Sequence, residues 1–168
     1  FHIAVSLLTA TTALTAASPI GVQTLVAQTN WREVRSIKMG RFHARVDVSS
    51  SHTLRLFTQL DTSQLMGDEL GADSVKKWQE NLFNDLDKPS KMRYVLGNSV
   101  LVQPFAADSA TVGYLVTVAD TGGASRQIIT DKDGIEEFLD MLAKGVVAAK
   151  TLTDDELKRQ GPVAQKPI

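Results

Sequence analysis

The residues whose types come closest to a metal loop are "DKDG" at 131–134, because carboxylates alternating ahead of a glycine are what a calcium-binding turn uses. With Gly134 as the sixth position, however, the first ligand position falls on Ile129, which has no oxygen to offer. The twelfth falls on Asp140 instead of a bidentate glutamate. These acids fit a helix N-terminus better, where the macrodipole favours negative charge. The chain has no cysteine, so disulfides, thiolate zinc sites and cysteine nucleophiles are excluded. Its three histidines, His2, His43 and His52, lack a third ligand at metal spacing and form no HExxH pattern. No metal or other cofactor is expected.

Nucleophilic catalysis needs a hydroxyl beside a positioned base. "GNSVL" at 97–101 begins like a nucleophile elbow, but Leu101 stands where the second glycine belongs. "VDVSSSH" offers Asp47, Ser51 and His52 within one turn, yet neighbours along a strand point to opposite faces. A hydrolase would therefore have to assemble its site from residues such as Ser51, His43 and Asp47 through the fold. "DTGGAS" has two glycines without the spacing or the lysine of a phosphate loop, and reads as a turn. No catalytic signature survives, and the expectation is a protein that is not an enzyme.

The least ordinary local feature is a basic cluster: Arg32, Arg35, Lys38, Arg41 and Arg45, offset before Asp47 only by Glu33. Such a cluster can face an anionic partner or anionic lipid headgroups, or it can be the charged edge strand of a sheet, which resists edge-to-edge aggregation. No aromatic residues interleave it as stacking platforms, and 18 basic residues against 19 acidic ones leave a net charge of −1, so nucleic acid is not an expected partner.

Ahead of the cluster lies an apolar lead-in without a charged residue, "LLTATTALTAASPIGVQTLVAQTNW" at 7–31. Its apolar run breaks at Ser18-Pro19, short of the roughly 20 residues a membrane span needs. A short apolar run followed by small residues suits a secretory signal, with cleavage after Ala17 or after Ala27. The downstream cations oppose translocation and keep a retained apolar anchor as the alternative.

The body alternates between two periods. "FHARVDVS" and "TLRLFTQL" have the period of two of half-buried strands, separated by a turn at "SSSH", with Phe57 facing opposite to its leucine neighbours. "VRSIKMGR" alternates too, and Gly40 is expected to shift the phase as a bulge. Val75, Trp78, Leu82, Phe83 and Leu86 recur at helical steps, capped by Asp73 or Ser74 and stopped by Pro89. "SQLMGDEL" reads as a short separate turn of helix. "RYVLGNSVLVQPF" reads as a hairpin closed by the two-residue loop Gly97-Asn98, followed by the strands "ATVGYLVTVAD" and "RQIIT". A second helix is expected from Asp133 to Ala149, burying Ile135, Phe138, Leu139, Leu142, Val146 and Val147, with a capping box at Asp133 and Glu136. Thr153 and Glu156 have the same spacing ahead of a last short helix.

The expected fold is α+β: an antiparallel sheet of five to six strands with two main amphipathic helices packed on one face. Residues 1–27 are expected to be the signal or anchor, 30–150 one α+β domain, and 151–168 a short helix and loose tail. The expected role is an exported, non-catalytic binding or accessory domain in the periplasm, thylakoid lumen or extracellular space. Its partner would be another protein or a small apolar ligand, or an anionic membrane surface met through Arg32, Arg35, Lys38, Arg41 and Arg45. The alternative is a membrane-complex subunit anchored by its apolar N-terminus.

Overall fold

A computed structural model of the chain describes residues 30–119, 122–153, 155–156 and 159. The lead-in and the tail beyond Arg159 lie outside the described residues, and with them the expectations about a signal, an anchor and a loose C-terminus.

The sequence alternates as four strands and a helix, twice. β1 (Arg32–Met39), β2 (Phe42–Val48), β3 (Thr53–Leu60) and β4 (Met66–Gly71) lead into α1 (Ala72–Asn84). β5 (Tyr94–Leu96), β6 (Val100–Ala106), β7 (Val112–Ala119) and β8 (Ser125–Thr130) lead into α2 (Lys132–Thr151). Each set of four forms its own antiparallel sheet in chain order, β1-β2-β3-β4 and β5-β6-β7-β8.

The α+β class is as expected, but the single five- to six-stranded sheet is replaced by two four-stranded sheets. Two local readings account for the difference. "SQLMGDEL" is largely strand β4, not a turn of helix: tertiary pairing with β3 overrides its weak local pattern, and Gly67 is small because the Phe57 ring lies over it, 3.0 Å from where a Cβ would stand. The strands after α1 then begin a new sheet instead of extending the first.

Other boundaries differ in instructive ways. Gly40 is no bulge; with φ +58° it is a turn residue between β1 and β2, whose register runs to the pair Met39–Phe42. The irregularity in β1 falls between Glu33 and Arg35. The β5–β6 loop holds three residues, because Leu96 pairs with Val100. α1 starts from Gly71 without a side-chain cap, and α2 is capped by Asp131, whose carboxylate accepts from the Gly134 N–H. The box at the C-terminus forms as expected: Thr153 N–H donates to Glu156 at 3.0 Å and Glu156 N–H donates back to the Thr153 hydroxyl at 3.4 Å.

Both sheets and both helices share one core. The residues Phe42, Ala44, Val46 and Val48 of β2 face inward with Leu54, Leu56 and Leu60 of β3, and all are buried. α2 covers them with Ile135, Phe138, Leu139, Leu142 and Val146, and Gly145 lets the helix backbone approach closely, since a Cβ there would stand 2.5 Å from Val46 Cγ1. Phe138 links the layers, edge-on to Phe42 of β2 at 5.9 Å and to Trp78 of α1 at 6.2 Å. Val102, Tyr114 and Val116 of the second sheet complete the same core. Phe83 and Val147, expected in the buried stripes, are instead 63% and 62% exposed, one step past the edge of each helix's inner face. Among the described residues no helix is long and apolar enough to cross a membrane.

Candidate functional site

The basic cluster is dispersed by the pleat of the first sheet. Arg35 turns toward α2 and pairs with Asp140 and, at 3.5 Å, with Glu137. Arg41, in the β1–β2 turn, pairs with Asp61 at 3.0 Å. Arg45 is not at the surface: it is 2% exposed, on the side of β2 turned away from α2. There its guanidinium lies 4.6 Å from the Phe57 ring centroid and 3.1 Å from Asp47. Burial raises the Asp47 carboxyl above its usual range despite the pull of Arg45, and Glu33 adds to the rise. Beside this pair Arg55 sits over the Trp31 ring at 4.0 Å and binds Glu69 at 2.6 Å. Lys38 is exposed and has no carboxylate partner among the described residues. Arg32, the first residue of β1, borders a shallow depression with Ala143, Lys144 and Val147 of α2. The five cations therefore do not present one continuous surface.

The dispersed triad Ser51, His43 and Asp47 is not brought together. The Ser51 hydroxyl is bonded to Ser49 at 2.7 Å and lies beyond the strand end, Asp47 is held by Arg45, and His43 sits opposite Gln59 and Lys38. His52 takes φ +58° in its turn and bonds the Ala149 carbonyl through Nδ1 at 3.0 Å, which ties the β2–β3 turn to the end of α2. No cluster of metal-ligating side chains occurs among the described residues. The Tyr94 hydroxyl donates to Asp85, and burial together with that bond pushes its pKa up to about 12. It ties the start of β5 to the end of α1.

Two features escape a reading of the sequence. The first is a clip between the sheets: Asp68 of β4, itself buried, accepts from the Asn98 N–H at 3.2 Å, the Ser99 N–H at 3.1 Å and the Ser99 hydroxyl. The second is a groove of about 730 Å³ bordered on one side by Lys38 and Met39 at the end of β1 and by Gly40 and Arg41 of the turn, and on the other by Gln127, Ile128, Ile129 and Thr130 of β8. The first turn of α2 closes its floor, where a Cβ on Gly134 would collide with the Thr130 hydroxyl. Next to the groove, the outward face of the second sheet carries Val95, Leu101, Phe105, Leu115 and Ile129, with Ile129 69% exposed and Leu115 paired directly opposite it.

The sequence matches no protein-family model and no curated protein. Among solved structures it is similar to an SsgA-like sporulation-specific cell division protein from Thermobifida fusca, at 13% identity and a TM-score of 0.33, over 79% of this chain and 90% of that one. It is also similar to SsgB of Streptomyces coelicolor, at 9% identity and a TM-score of 0.33, over 79% of this chain and 95% of that one. Likeness at that level carries no argument about what this chain does.

Proposed function

We propose that the chain is an exported, non-catalytic accessory domain that works by binding another protein. The observation that supports this reading best is the outward face of the second sheet, where exposed Val95 and Ile129 and half-buried Leu101, Phe105 and Leu115 surround Gln103 beside the β8 groove. Large apolar side chains left at a solvent-facing sheet surface are a feature of surfaces that meet a partner. The interior supports a protein partner over a small apolar ligand: Phe42, Val46, Leu54, Leu142, Tyr114 and Val116 meet in a core where none is exposed, so side chains occupy the space a carried molecule would need. Nucleic acid remains an unfavoured partner because Arg35, Arg41 and Arg45 are already engaged by carboxylates.

Photocrosslinking residues placed at Leu101 and Phe105 test the binding role in the cells that make the protein. Discrete adducts at these positions, and none from a crosslinker at exposed Lys77, are expected; equal labelling at all three would remove the support. Export has its own check. Intact-mass analysis of the native protein is expected to find a chain starting at Ser18 or Gln28, and retention of residues 1–27 would favour the anchored alternative.

A further inference from the structure

Resting on that reading of the face, we propose that the partner is a second copy of the chain, the outward faces of the two second sheets packing against each other about a twofold axis. Charge carries the first step. In a twofold contact a surface meets itself, so a cation or carboxylate near the axis meets its own kind. The four strands β5 to β8 contain one charged residue, Arg126. It stands opposite Val118, a buried core residue, and so belongs to the inward phase of β8. The outward phase of the second sheet holds no charge. The outer side of the first sheet, by contrast, carries Arg45, Asp47, Arg55 and Glu69.

The polar groups of the face select the same occupant. Its larger ones are Gln103, Thr117 and Gln127, two amides and a hydroxyl. Such groups both donate and accept, so each matches an identical group from another copy, which no ammonium or carboxylate does. Gln127 already donates to the Thr117 hydroxyl at 3.2 Å. Gln103 is central: it lies on β6 between Leu101 and Phe105, opposite Leu115 of β7. Its half-buried amide has no hydrogen-bond partner among the described residues. Two such amides facing each other across the axis make two reciprocal bonds within an apolar surround.

Shape agrees with charge. A Cβ on Gly113 would stand 2.7 Å from the Phe105 ring, so that ring lies down across β7 instead of rising from the sheet, and the face stays level. Two level faces stack at the ~10 Å spacing of packed sheets. Strands β6, β7 and β8, of seven, eight and six residues, with the short β5 beside them, cover roughly 20 Å by 20 Å. That footprint is small beside the ~800 Å² per partner of a standard interface, so the dimer is expected to be weak, dissociating in the micromolar range. The chain's net charge of −1 sets up little long-range repulsion between copies.

Sedimentation of the full chain from about 1 μM to about 1 mM tests the proposal, and a monomer–dimer equilibrium is expected. Gln103→Glu puts like charges on the axis and is expected to weaken the dimer about ten-fold or more, as is Gln103→Lys. Both leave the far-UV spectrum unchanged, because the position faces outward and is half-buried. Mixing the two variants is expected to restore the dimer, with one copy of each, which only side chains that meet across the axis would do. The chain has no cysteine, so Gln103→Cys gives a second readout. Oxidation is expected to link its copies in pairs and to leave Lys77→Cys, on the exposed side of α1, unlinked. Monomer throughout the range, a dimer indifferent to Gln103→Glu, or no rescue on mixing overturns the proposal. A monomeric chain whose Leu101 and Phe105 positions still crosslink in cells to a protein of another mass sinks the second copy and leaves the binding role standing. Loss of both self-association and adducts takes the binding role with it.

Discussion

Asp68 joins the two sheets, accepting on one carboxylate oxygen from three donors of the β5–β6 loop. Truncation to alanine leaves the buried Ser99 N–H and hydroxyl, and the half-buried Asn98 N–H, without their partner. At ~1–3 kcal/mol for a stranded buried group, partly relieved by water, Asp68→Ala is expected to cost about 3 kcal/mol in urea unfolding. Gly97→Ala should cost ~2 kcal/mol, because its φ of +60° disfavours a side chain and the new Cβ would meet Asp68 at 2.7 Å. The buried pair on the first sheet makes a pH prediction. Burial is the largest cause acting on Asp47 and raises its pKa in the folded state above 3.8, so the folded chain holds that proton more tightly than the unfolded one. Its contribution to stability is then fully present below the unfolded value and declines as pH rises through the folded one. The advantage of the native protein over Asp47→Asn should accordingly be larger at pH 3 than at pH 7. Unfolding curves that show a constant or reversed gap would contradict this. Little of this residue-scale detail was legible in the sequence: Asp68 and Ser99 lie 31 residues apart, and no local pattern announces a bond over that distance. Arg45 read as a surface cation because it lies on the polar phase of β2, whereas in the fold the Phe57 ring and the Asp47 carboxylate lie against it.

At the scale of elements, α2 is the piece the rest is built around. Its inner face was readable from spacing alone, because a helix that must cover a sheet repeats its apolar residues every three or four positions, and Ile135, Phe138, Leu139 and Leu142 are all buried. The weak point of that reading was the width of the stripe, which ended before Val147. β4 was illegible for the opposite reason: "MGDELG" shows no clean alternation, and it becomes a strand only because β3 offers it an edge. Gly145 gives the element-scale test. Alanine there would gain ~1 kcal/mol of helix propensity, but its Cβ would press on Val46 at 2.5 Å and Leu54 at 2.7 Å. Overpacking costs ~1–3 kcal/mol, so Gly145→Ala is expected to be destabilising by about 1 kcal/mol, read as a lowered Tm.

At the scale of the whole molecule, the two sheets cannot separate cleanly, because one core takes residues from both. Urea unfolding followed by tryptophan fluorescence should therefore coincide with unfolding followed by far-UV circular dichroism, and two resolved transitions would mean that the sheets fold independently. The fold class was legible because helical and strand periods are plain in the sequence. The division into two sheets was not, since nothing in a strand's own residues says whether the next strand joins it or starts afresh. That division has a consequence for how the protein is made. The first sheet is complete by Gly71, yet the helix that covers β1, β2 and β3 is the last long element, ending at Thr151. A ribosome adding ~5–20 residues per second delivers that helix roughly 4–16 s after the sheet has emerged. Throughout that interval the inner sides of Val46, Leu54 and Leu56 have no lid. Until α2 has been made, the first sheet cannot bury that inner side against it, so the sheet and its covering helix are joined only late in the making of this segment.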